Sequence, residues 1–136
     1  MTTRAAVQPW VQGTLGCHCD AAVFDRIEVS RGTPGLAEPQ LQLIIGQRLL
    51  VQLRAIEATE PLEALLPHWI TQGVQRRDAR QLNRVRLVLC GPASGLPERV
   101  QALLEQLPLP DDRVRVHVLP LATLLALESA LASGGL

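Results

Sequence analysis

The chain has 136 residues, enough for one compact domain and too few for two of ordinary size. Apolar residues make up 47% and charged residues 19%, which excludes a disordered chain. Thirteen basic side chains balance thirteen acidic ones, which argues against a globally basic nucleic-acid binder or an acidic tail protein.

No apolar run approaches the roughly 20 residues that a bilayer span needs, and Met1-Thr2-Thr3-Arg4 does not open a secretory leader. The expectation is a cytoplasmic protein without membrane contact, whose three cysteines stay as thiols.

The first segment that carries chemistry is Gly13-Thr14-Leu15-Gly16-Cys17-His18-Cys19-Asp20, ahead of a short helix expected over Ala21 to Arg26. A thiol beside the free N–H groups of a helix start has a lowered pKa. Cys17, His18 and Cys19 supply two sulfurs and an imidazole, the ligand types of zinc sites and, second to them, iron–sulfur sites. Such sites usually need four ligands, and Cys90 is the candidate to extend the set. It ends a predicted strand, and α/β sheets place their sites at that edge. If Val7 to Leu15 is also a strand running the same way, the cysteine turn opens onto the same edge. The competing reading is of cysteines as small buried hydrophobes.

Ile27 and Val29 suggest a short strand before the loop Arg31 to Pro39. Leu41, Leu43 and Ile45 alternate, as do Leu49, Val51, Leu53 and Ala55, and Gly46-Gln47 between them fits a type II′ hairpin turn. A helix follows, with Thr59 as N-cap and Leu62, Leu65, Leu66, Trp69, Ile70 and Val74 as its buried stripe. Pro67 should kink or split it.

Arg84-Val85-Arg86-Leu87-Val88-Leu89 returns 29 residues later as Arg113-Val114-Arg115-Val116-His117-Val118-Leu119. Each copy precedes a helical pattern, the first being Val100, Leu103, Leu104 and Leu107. A strand, loop and helix in about 30 residues is one βα unit, so two parallel strands are expected. The alternation puts His117 on the polar side of its strand with Arg113 and Arg115. The fold class is therefore a single α/β domain: a sandwich on a mixed sheet, an N-terminal antiparallel meander followed by two parallel βα units, in the order βββαβαβα.

Arg76, Arg77, Arg80, Arg84 and Arg86 concentrate five positive charges in eleven residues, a candidate grip for anions or nucleic acid. One Phe, two Trp and no Tyr leave few stacking platforms for a nucleic acid. From Leu121 to Ala132 the last helix is apolar on nearly every side, which suggests burial against a partner protein or a second copy of the chain. The leading functional expectation is a non-catalytic binding or accessory protein. A thiol or metal site at Cys17-His18-Cys19 is the alternative, and an Arg-mediated anion or nucleic-acid binder the third.

Overall fold

The computed structural model describes residues 3–32, 38–92 and 94–134. Five strands form one mixed sheet in sequence order: β1 (Ile27–Arg31), β2 (Leu41–Ile45), β3 (Leu49–Ala55), β4 (Arg84–Gly91) and β5 (Val114–Pro120). Strands β1, β2 and β3 are antiparallel neighbours, whereas β3, β4 and β5 run parallel. The α/β meander followed by two βα units is therefore present, with both Arg-Val-Arg repeats as adjacent parallel strands. Four α-helices accompany it among the described residues: α1 (Thr3–Pro9), α2 (Leu62–Ala79), α3 (Leu96–Gln106) and α4 (Leu121–Gly134).

Three local expectations are corrected. Val7 to Leu15 is not a strand: α1 continues into a π-helical turn over Trp10–Thr14, because Val7 and Val11 share a helical face that is fully buried. The turn at Gly46-Gln47 is type I′ rather than type II′, since both residues have positive φ, 61° and 54°. Helix α2 begins at Leu62 with Pro61 before it, and it runs unbroken past Pro67. Leu62, Leu66, Trp69 and Ile70 anchor α2 to the sheet, so tertiary burial outweighs the backbone bond that proline forfeits.

Side chains alternate across each strand, and this divides the core in two. On the first face, Leu41, Leu43, Ile45, Leu49, Val51, Leu53, Val88 and Cys90 meet Val7, Val11 and Phe24, together with Leu124, Leu127 and Leu131 of α4. On the second, Leu50, Val85, Leu87, Leu89 and Val114 meet α2 and α3. The central strands are buried on both sides, so their even-numbered polar residues Gln42, Gln52 and Arg54 are buried as well.

Candidate anion-binding site

Register decides which arginines gather. In β4 the apolar residues Val85, Leu87 and Leu89 take the second face, which turns Arg84 and Arg86 to the first. Arg86 pairs with Arg115 in the parallel ladder, and Val88 with His117, so Arg84, Arg86, Arg115 and His117 share one corner of the first face. The start of β4 is tied to the hairpin: the N–H groups of Asn83 and Arg84 donate to the Arg48 carbonyl at 2.7 and 3.0 Å.

Arg86 is only 5% exposed. Its Nη1 donates to the carbonyls of Val85 (3.2 Å) and Arg113 (3.4 Å), while its Nε has no partner. Burial, then the neighbouring charges of Arg115 and Arg84, lowers its pKa. His117 is half-buried and its Nε2 also lacks a partner. Burial, then Arg86 and Arg115, pushes its pKa below the ordinary 6.5. No carboxylate among the described residues forms an ion pair with Arg84, Arg86 or Arg115.

The His117 shift sets a pH dependence. With the folded value below the unfolded one, the unfolded chain takes up the proton first on acidification, so stability falls as pH drops through 6.5 toward the folded value. Wild-type protein is expected to lose more stability than His117→Asn between about pH 7.5 and 5.5. Urea midpoints at the two pH values measure the difference, and parallel slopes would refute it.

Arg84 also borders a cleft of about 290 Å³ between the cysteine turn, the β2–β3 hairpin and the start of β4. Its walls include Cys17, His18, Cys19, Asp20, Arg48 and Asn83. The turn is held by the Cys17 N–H on the Val11 carbonyl (3.1 Å) and by Gln12 Nε2 on the Cys19 carbonyl (3.0 Å). The expected helix after it is a 3₁₀ turn over Ala21–Asp25, and the side chain of Asp20 makes no capping bond.

The sulfur chemistry differs from expectation. Cys17 and Cys19 lie side by side in the turn, with Cα atoms 5.3 Å apart, inside the usual disulfide range. Cys90 does not join them. The turn opens beside Leu49 and Arg84, where β3 and β4 begin, whereas Cys90 lies six residues further along β4, about 20 Å away at strand rise. That thiol is fully buried, and burial raises its pKa to about 11. Among the described residues no group of three or more His, Cys, Asp or Glu side chains is placed to hold a metal ion. The four-ligand set of Cys17, His18, Cys19 and Cys90 therefore does not assemble.

The predicted arginine grip is likewise divided. Arg77 is buried and forks onto Asp111 (Nη1 to Oδ1 3.1 Å, Nη2 to Oδ2 2.9 Å), with its Nε on Asp78 at 3.0 Å. Arg80 reaches Glu28 of β1 at 3.2 Å. Both fasten α2 to its surroundings. Arg76 lies on the second-face side, leaving Arg84 and Arg86 as the members of the set on the first. Arg115 and Arg48 were absent from the predicted grip. The i, i+2 spacing of Arg113, Arg115 and His117 was the available signal for Arg115, and only the hairpin register brings in Arg48.

No protein family, curated protein or solved structure matches the chain in comparisons with each.

Proposed function

We propose that the protein is a non-catalytic binding or accessory protein that takes a small multivalent anion at the first-face corner. The carrying observation is Arg86: a guanidinium withdrawn from water, beside two more arginines and a histidine, with no carboxylate paired to it among the described residues. Charge in such a position is costly unless a counter-charge arrives. Arg84 and Arg115 are exposed and give an anion its approach, and guanidinium forks suit phosphate and carboxylate oxygens. The adjoining cleft adds Arg48 and Asn83, against Asp20 on its rim. The scarcity of aromatic residues favours a small anion over a nucleic acid. Leu125 of α4, 57% exposed, and its neighbour Leu121 support an accessory role, as apolar surface that a partner would cover.

Pyrophosphate is the first probe. At about 100 times its dissociation constant it should add ~2.7 kcal/mol to unfolding stability. Arg84→Gln should weaken binding about tenfold. An unfolding midpoint unmoved by pyrophosphate or citrate, at constant ionic strength, would overturn the proposal.

A further inference from the structure

The second face holds a polar system that plays no part in the anion corner. Gln42 of β2 and Gln52 of β3 are direct cross-strand partners, and Arg54 follows Gln52 on the same side. They are 6%, 2% and 4% exposed. A packing layer has no need of three such groups, because every polar atom taken from water requires a partner.

Their hydrogen bonds run in one direction. Gln52 Nε2 donates to Gln42 Oε1 at 3.0 Å, which leaves Gln52 Oε1 without a partner close to Gly73 of α2. Arg54 Nη2 donates to Gln72 Oε1 at 3.0 Å, and its guanidinium lies 4.8 Å from the centre of the Trp69 ring. With its oxygen engaged by Gln52, Gln42 offers its amide N–H groups.

Gln42 is also part of the wall of an open cleft of about 230 Å³. Ser30 and Arg31 of β1 and Arg76 of α2 line the same space, so three elements contribute donors. Glu38 stands on the rim, and the Arg76 guanidinium supplies the charge that an anion would meet beside Gln42. An acceptor bonded to Gln42 would polarise the Gln52 amide behind it, and hydrogen-bonded chains of this kind strengthen together. Arg76 adds a planar fork that an oxyanion matches.

We infer that this cleft is a second ligand site, which takes the oxyanion group of a small carboxylate or phosphate between Gln42 and Arg76. It stands independently of the first-face corner, because Arg84 and Arg86 lie on the opposite side of the sheet.

The side-chain amide of Gln42 provides the readout. Isotope-labelled full-length protein is titrated by NMR with acetate and, separately, with inorganic phosphate at constant ionic strength. A saturable shift of that amide is expected with at least one of them, and the one that gives it identifies the class of ligand. Arg76→Gln, at an exposed helix position, should lower the affinity about tenfold, whereas Arg84→Gln should leave it unchanged. The site is refuted if neither anion gives a saturable shift, if Arg76→Gln leaves the affinity intact, or if Arg84→Gln reduces it as much.

Discussion

Replacing Arg86 by Met is expected to raise the free energy of unfolding by ~1–3 kcal/mol and to abolish anion binding at the first-face corner. The methionine keeps most of the aliphatic stem, so the packing of that stem is largely retained. The charge goes, and with it the penalty of holding a guanidinium at 5% exposure beside Arg84 and Arg115. The hydrogen bonds to the Val85 and Arg113 carbonyls are lost, but they satisfy only part of a group with five N–H donors. Opposed movements of stability and affinity separate a binding residue from a structural one, since a guanidinium retained for packing would lower stability when removed. Urea unfolding with and without pyrophosphate reads both quantities from one protein. A variant less stable than wild type, with an unchanged pyrophosphate response, would remove Arg86 from the site.

The same residues show what the sequence could reveal. Strand and helix order were legible because the apolar periods are clean: Leu41, Leu43 and Ile45 alternate, and Leu62, Leu66, Trp69 and Ile70 follow a helical face. The repeat at Arg84 and Arg113 announced two similar strands, and their parallel pairing follows from the helix between them. Which arginines meet was harder to see. Arg76 and Arg80 are close to Arg84 in sequence, yet α2 covers the second face while Arg84 turns to the first. Sequence proximity therefore overstated one cluster and concealed another, in which Arg86 and Arg115 become neighbours only through the ladder. The position of the cysteine turn depends on the same kind of non-local information. Once Trp10–Thr14 coils instead of extending, Cys17 is delivered to the end where β4 begins, far from Cys90. The buried amides carry no signal in the sequence, because Gln42 and Gln52 sit at the solvent positions of an alternating pattern, and helix α2 takes the place of solvent.

Gly46→Ala is expected to lower stability by ~2–4 kcal/mol and to weaken binding in the cleft beside the cysteine turn. Two physical effects add at this position. Gly46 has φ +61°, a conformation that side-chain-bearing residues adopt at a cost of about 1 kcal/mol. A Cβ there would also lie 2.7 Å from Val23 Cβ and 2.8 Å from the Val23 carbonyl oxygen. The second contact is with backbone, so no rotamer change relieves it. The hairpin and the 3₁₀ turn must separate, against a 2.8 Å hydrogen bond from the Gly46 N–H to the Arg26 carbonyl. Val23 and Asp20 wall the cleft, so that displacement reaches the site. Gly95→Ala isolates the first effect: φ is +86° there, and a Cβ would meet nothing within 4 Å. Its loss should stay near 1 kcal/mol, with pyrophosphate binding unchanged. Chemical unfolding of the two variants side by side measures the difference. Equal losses would mean that the hairpin does not press on Val23, and the cleft would then lack the wall attributed to it.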